Sequence, residues 1–378
     1  MGAVLQIERV IDKKGLLAFV KFPFKLYRGD PNWVPPLIEE RLDFFDPAKN
    51  PFYEHARYQL FLARRDGELV GTIGAVVDEN HNAVHNELMG AFGFFETVND
   101  QAVADALLDA AEGWAREQGM TLMRGPYNFS TNQEIGTLVD GFNEPPMVMM
   151  TYNPPYYPVL IEAHGYRKAM DVYAYIFYLA EDMRTAPPKV FRVAEKAAQK
   201  AGLRVRKVDL RHFHRDVEKI KQVYNRAWLR NWGFVPMTDA EINHLAASLR
   251  PVVDPNLIFI AELEDGTPVG VSMALPDLHQ ALRLSGGGHM WPFGLLKFLW
   301  YRRKVDQARL MIMGMVEEYR GRGADAIFYV ETARAALARG YKRIEASWIL
   351  ENNTMMNQII ERLGGRRYKT YRIYERPL

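Results

Sequence analysis

The stretch Val316-Glu317-Glu318-Tyr319-Arg320-Gly321-Arg322-Gly323-Ala324 joins two segments of different periodicity. Before it, Ala308 to Val316 reads as a strand; after it, Ala326 to Ala338 carries helical spacing, and Tyr341 to Trp348 reads as a second strand. A strand, a helix and a further strand make a crossover, so the two strands are expected to be parallel. Upstream, Asn256 to Glu262 and Pro268 to Leu275 flank Asp265-Gly266 and predict a hairpin. Leu203 to Leu210 is strand-like, and Val217, Ile220, Val223 and Tyr224 give His214 to Trp228 the spacing of a helix.

The same order occurs earlier in the chain. Tyr58 to Ala63 and Leu69 to Val77 flank Asp66-Gly67 as a hairpin, Gly90 to Glu96 reads as a strand, Asp100 opens a helix, and Thr121 to Gly125 follows as the next strand. Val103, Leu107, Leu108, Ala111 and Trp114 form the apolar stripe of that helix, and Gly119 closes it. Glu181-Asp182 and Pro187-Pro188 interrupt both periodicities, so the expected halves are 1–183 and 184–378. The fold class expected is α/β (α+β): two tandem halves, each a mixed, mostly antiparallel sheet with a central parallel pair of strands flanked by helices.

Composition narrows the function classes. The chain has 378 residues, enough for two cores, and its 48% hydrophobic and 25% charged content is that of a globular protein. A formal charge of +2 gives no global field to recruit nucleic acid. The absence of cysteine excludes a thiol nucleophile, disulfides and thiolate metal sites. Met1 to Lys14 lacks the apolar run of a signal peptide, and no segment approaches the roughly 20 apolar residues of a membrane span. A cytoplasmic location is expected. His81 and His85 have i, i+4 spacing but read as part of a polar loop, His212 and His214 read as surface residues, and no metal is expected.

A glycine-containing turn between strand and helix lets an anion approach successive N–H groups, with the helix N-terminus adding partial positive charge. Arg320 and Arg322 can add charge-assisted contacts to pyrophosphate oxygens. A plain strand-to-helix turn with solvated arginines fits the same residues. The order Arg320, two residues, Gly323 resembles the coenzyme A pyrophosphate loop of the GNAT-type N-acyltransferase superfamily, with Asp325 in place of its final small residue. Asp325 is expected to cap the helix instead. Asn353 and Leu363-Gly364-Gly365 are similar to the next landmarks of that superfamily, whereas its usual thiolate-protonating Tyr is here Ile360. Gly90 to Glu96, Arg124-Gly125-Pro126 and Lys369 to Glu375 are similar to bacterial two-repeat GNAT-like proteins.

The resemblance implies two GNAT-like halves, with acetyl-CoA or a longer acyl-CoA as co-substrate of the second. Its binding residues would be Val316, Arg320, Gly321, Arg322, Gly323, Ala324 and Asn353, with Val316 as a backbone donor to the thioester carbonyl. The candidate bases are Glu351, Glu317 and Glu345, each near an end of the parallel strands; Glu351 is preferred. The matching loop of the first half, Glu96-Thr97-Val98-Asn99-Asp100, has two carboxylates and no glycine, so that half reads as a degenerate copy serving the acceptor or the structure. Tyr152 to Tyr166 still resembles the post-strand helix and its ending. The activity implied is N-acyl transfer to a small-molecule or lipid amine; a non-catalytic acyl-CoA sensor is the alternative. The intact arginine-glycine loop argues against use of aminoacyl-tRNA, and no nucleic-acid partner is expected. Trp291 to Lys304, apolar then basic, fits either a helix buried between halves or an interfacial helix making peripheral membrane contact and acylating lipid amines.

Overall fold

The computed structural model of the chain describes residues 4–185, 188–289, 293–320 and 325–378. Gly321, Arg322, Gly323 and Ala324 of the expected loop lie outside the described residues, as do Trp291, Pro292 and Pro187. The first strands and helices are β1 (Leu5–Arg9), α1 (Lys13–Leu26), α2 (Ile38–Phe44), β2 (Ala56–Arg65), β3 (Glu68–Asp78), α3 (Glu79–His85), β4 (Met89–Thr97) and α4 (Gln101–Glu117). β5 (Leu122–Gly125), β6 (Tyr127–Asn128), β7 (Glu134–Ile135), β8 (Thr137–Asp140), α5 (Tyr157–Ala163), β9 (Arg167–Tyr178), α6 (Leu179–Thr185) and α7 (Pro188–Lys200) follow. Next come β10 (Arg204–Lys207), α8 (Phe213–Ala227), α9 (Asp239–Leu249), β11 (Ile258–Glu262), β12 (Pro268–Pro276), α10 (His279–Ser285) and α11 (Phe293–Arg302). β13 (Gln307–Met315), α12 (Ala326–Ala338), β14 (Arg343–Leu350), α13 (Thr354–Arg362) and β15 (Arg366–Pro377) complete the order.

Two compact units result. The first comprises Met1–Val172, His279–Arg302 and Lys369–Leu378; the second comprises Tyr173–Leu278 and Arg303–Tyr368. Both 279–302 and 369–378, which a single boundary assigns to the second half, belong to the first unit.

The sheet of the first unit runs β1-β2-β3-β4-β5-β15. Asp66 and Gly67 both have positive φ, 51° and 83°, as the tight β2–β3 hairpin requires. Asp100 caps α4 by accepting from Ala102 N and Val103 N at 3.0 and 3.3 Å, and the stripe Val103, Leu107, Leu108 and Ala111 is wholly buried over the sheet. β4 and β5 are parallel, but only across Met89↔Leu122, Gly90↔Met123 and Ala91↔Arg124. Beyond that, β4 carries a bulge opposite Thr72/Gly74, with Phe94 at φ 47°. Phe92 and Phe95 therefore both enter the core although they are three residues apart.

The second unit orders its strands β9-β14-β13-β12-β11-β10. β13 and β14 are parallel from Gln307↔Arg343 to Leu310↔Ala346, and pair no further. α12 covers one face, with Phe328 and Ala336 fully buried. The other main elements match their predicted types, with no end displaced by more than three residues.

Gly93 marks where the first unit closes its own strand gap. A Cβ there would stand 1.7 Å from the carbonyl oxygen of Tyr127, which is backbone and cannot rotate away. Gly93→Ala is expected to lower stability by about 3 kcal/mol or prevent folding, measured by denaturant unfolding; an unchanged midpoint would contradict this packing.

Candidate functional site

In the second unit, Val316 N donates to Val269 O at 2.9 Å. This corrects the reading of Val316 as a donor to the thioester carbonyl, because strand alternation turns its amide to β12. The same alternation turns the amides of Met313 and Met315 to the opposite edge, which β14 has left. Met315 O indeed faces away from β12 and accepts Arg320 Nε at 2.7 Å. Arg320 N is held by Glu317 O at 3.1 Å within a short 3-10 turn. At the far side of the loop, Asp325 makes no side-chain capping bond to α12, contrary to expectation. Among the described residues, the first N–H groups of that helix therefore have no side-chain cap.

The three expected bases occupy different surroundings. Glu317 is exposed and paired with Arg230 at 2.6 Å. Glu345 is fully buried: its oxygens accept from Ser347 Oγ at 2.5 Å and from Tyr368 OH, while Arg309, also buried, donates to Ser347 Oγ at 2.9 Å. Glu351 is half-buried just beyond β14. Asn353 caps α13 by accepting from Met356 N at 3.3 Å. Ile360 belongs to the core, so no hydroxyl stands there. Beside the first turn of α12 lies a nearly apolar cavity of about 100 Å³, lined among others by Leu310, Ala326, Tyr329, Ala333, Ile344 and Leu363.

The first unit holds a second cavity, of about 160 Å³, beside the β4 bulge. Phe19, Trp33, Phe94 and Tyr152 supply apolar wall, and Arg41, Glu96 and Glu134 supply charge. Arg41 donates to both oxygens of Glu134, at 2.9 and 3.0 Å, and Asn128 Nδ2 donates to Oε2 at 3.0 Å. Although burial raises the Glu134 carboxyl, Arg41 and Asn128 bring it below the usual range. Glu96 is different. Burial pushes its carboxyl up to about 7, against hydrogen bonds from Tyr157 and Tyr27 that lower it. Both hydroxyls reach the same oxygen, Oε2, at 2.6 and 2.7 Å. Oε1 makes no hydrogen bond among the described residues.

The loop after β4 is closed to anions. Thr97 N donates to Tyr157 OH, Val98 N to Val70 O and Asp100 N to Val98 O, while the Asp100 carboxylate takes the first helical amides. The open edge is sealed too: Asn128 Oδ1 accepts Phe94 N at 2.8 Å.

Sequence reading missed Tyr27, Arg41, Glu134 and Tyr368. No spacing links Tyr27 to Glu96, and the i, i+3 pattern of apolar residues at Phe92 and Phe95 is the one sign of the bulge. The polar loop expected around His81 and His85 is instead helix α3, capped by Asp78; His81 is buried and its Nε2 lies 3.2 Å from Glu87. A separate trio, Asp109, Glu112 and His164, brings its ligand atoms within 4.8 Å, but Arg376 and Arg116 pair with Glu112, supplying the positive charge a cation would bring.

Each unit thus carries a mixed sheet, a briefly paired set of parallel strands and a crossover helix. The family model described as the Acetyltransferase (GNAT) family matches residues 26–128. The chain belongs to the GNAT-type acyl-CoA N-acyltransferase superfamily. It is 39% identical over 370 residues to a protein of Caulobacter vibrioides (strain NA1000 / CB15N) named bacterial ceramide synthase, covering 96% of this chain and 95% of that one. Protein YghO of Escherichia coli (strain K12) is 35% identical over 379 residues, 98% of this chain and 95% of its own. Among solved structures, a tandem GNAT protein from the clavulanic acid biosynthesis pathway shares the fold, with a TM-score of 0.57, 11% identity, and coverage of 99% of this chain and 98% of that one.

The raised Glu96 carboxyl has a consequence for stability. Its folded pKa of about 7 lies above the ordinary 4.5, so between these values the folded protein holds a proton that the unfolded chain has lost. Stability should fall by roughly 3 kcal/mol as pH rises through this window, and level off above it. Glu96→Gln should flatten that fall in chemical denaturation; a pH profile the same in both proteins would count against the assignment.

Proposed function

We propose that the protein is an acyl-CoA-dependent N-acyltransferase that joins a fatty acyl group to the amine of a long-chain amino alcohol. The carrying observation is the edge of β13 in the second unit, which pairs with β14 only as far as Leu310↔Ala346. The N–H groups of Met313 and Met315 then stand where the oxyanion of a thioester adduct needs donors. Arg320, with its two terminal nitrogens unbonded among the described residues, and the uncapped start of α12 support a diphosphate. Gly321 to Ala324 complete that proposed loop. The apolar cavity beside α12 supports an acyl-pantetheine chain.

In this reading the neutral amine attacks the thioester carbonyl, and its proton passes to a carboxylate. That carboxylate is assigned to Glu351, half-buried just beyond the end of β14. The adduct collapses to the amide, and coenzyme A leaves as a thiolate that takes a proton from water, since Ile360 offers none. The first unit offers a place for a protonated amine. Its cavity combines aromatic walls with Glu96, a carboxyl whose pKa of about 7 suits accepting a proton from an ammonium near neutrality. The lipid acceptor is supported by the relative named bacterial ceramide synthase, since a ceramide is an amide of a fatty acid and a long-chain amino alcohol.

Steady-state thiol release with acyl-CoA and long-chain amino alcohols tests this reading. Arg320→Ala should raise KM for acyl-CoA about tenfold, and Glu351→Gln should lower kcat roughly a hundredfold. Glu96→Gln should raise KM for the amine alone. Tight acyl-CoA binding with no thiol release from any amine would favour an acyl-CoA sensor instead.

A further inference from the structure

Helix α11 is inverted with respect to water. Among the described residues, fifteen large apolar side chains are exposed, and five of them, Phe293, Leu295, Leu296, Leu299 and Trp300, lie on this ten-residue helix. Phe298 alone among its large apolar side chains is buried. At 3.6 residues per turn the five exposed side chains fall on one continuous arc of roughly 160°. Lys297 borders the arc on one side and Arg302 on the other. α10 packs against α11 and adds an exposed Leu284.

The charge of this segment has one sign. From Leu278 to Val305 the sequence contains Arg283, Lys297, Arg302, Arg303 and Lys304, and no Asp or Glu, in a chain whose net charge is only +2. The segment before α11 is also held in place. Ile38 N donates to Gly288 O at 2.9 Å, His289 Nδ1 lies 2.8 Å from Glu39, and His279 Nδ1 lies 3.1 Å from Pro146 O, all within the first unit. Gly287, at φ 56°, lies so close to Pro35 that a Cβ would be 1.9 Å from its Cγ.

We infer that α11 is a docking surface for an anionic phospholipid bilayer. No helix among the described residues is long and apolar enough to cross a membrane, and a ten-residue helix with an apolar face and basic borders suits the plane of the headgroups. Trp300 has the amphipathic ring that concentrates at that boundary. The basic residues meet anionic headgroups while the apolar arc enters the acyl region. This inference stands on the surface alone and does not rest on the proposed reaction.

The full chain is tested by co-sedimentation with vesicles of phosphatidylcholine alone and of phosphatidylcholine mixed with phosphatidylglycerol. The protein should partition to the mixed vesicles, less at high salt. The double variant Leu296→Glu, Trp300→Glu should lose roughly tenfold or more of that partitioning, and Lys297→Glu should weaken it on the mixed vesicles only. Both variants should keep the melting temperature and any acyl-CoA-dependent thiol release with a short water-soluble amine, which separates a failed docking surface from a failed catalytic reading. Equal partitioning of the double variant and the native protein would overturn the inference, as would binding to neither vesicle. A dimer seen by sedimentation velocity and abolished by the double variant would assign the face to a second copy and overturn it equally.

Discussion

Parallel strands that separate after three or four paired residues leave backbone amides and carbonyls without ladder partners, and a folded protein must satisfy such groups or reserve them for a ligand. The two units answer this constraint differently. In the first, the chain after β5 packs the Tyr127 carbonyl against Gly93, and Asn128 accepts the Phe94 amide. In the second, β13 runs on beyond Leu310 with no partner strand on that side among the described residues. The loops that follow diverge in the same way: the Asp100 side chain takes the first amides of α4, whereas the Asp325 side chain takes none of α12. One architecture thus exists in a sealed and an open form.

Sealing the first gap did not remove its polarity. The bulge at Phe94 turns Glu96 toward a cavity instead of the core, and Tyr27 and Tyr157 hold one of its oxygens. Arg41 is spent on Glu134, so the nearby positive charge does not fully offset the cost of burying a second carboxylate. The outcome is two acidic groups in one cavity with carboxyl affinities displaced in opposite directions.

The legible part of the fold was its local grammar. Helix α12 runs over Ala326–Ala338, the residues its apolar spacing predicts, and both parallel pairs follow from crossover length. The open edge was placed one residue off, at Val316 instead of Met315, because alternation along a strand flips with a single-residue shift and the bulge opposite Met273/Ala274 resets the count. The Glu96 cavity was not legible, since its character comes from Tyr27 and Tyr157, 69 and 61 residues away in sequence. Nor does periodicity reveal that 279–302 and 369–378 join the first unit, because a strand or helix carries no local mark of the core it will enter.

The strand β15 gives the first unit an unusual dependence on the order in which the polypeptide is made. Tyr374 fills its core, Arg376 reaches Glu112, and Lys369, wholly enclosed, donates to the carbonyls of Gly141 and Glu144 at 2.8 and 2.6 Å. During synthesis on the ribosome these residues emerge some two hundred positions after Val172, so β5 remains a bare edge while the second unit is already being translated. The first unit is therefore completed only after the second has been translated, and its unpaired β5 edge must meanwhile be kept from other strands.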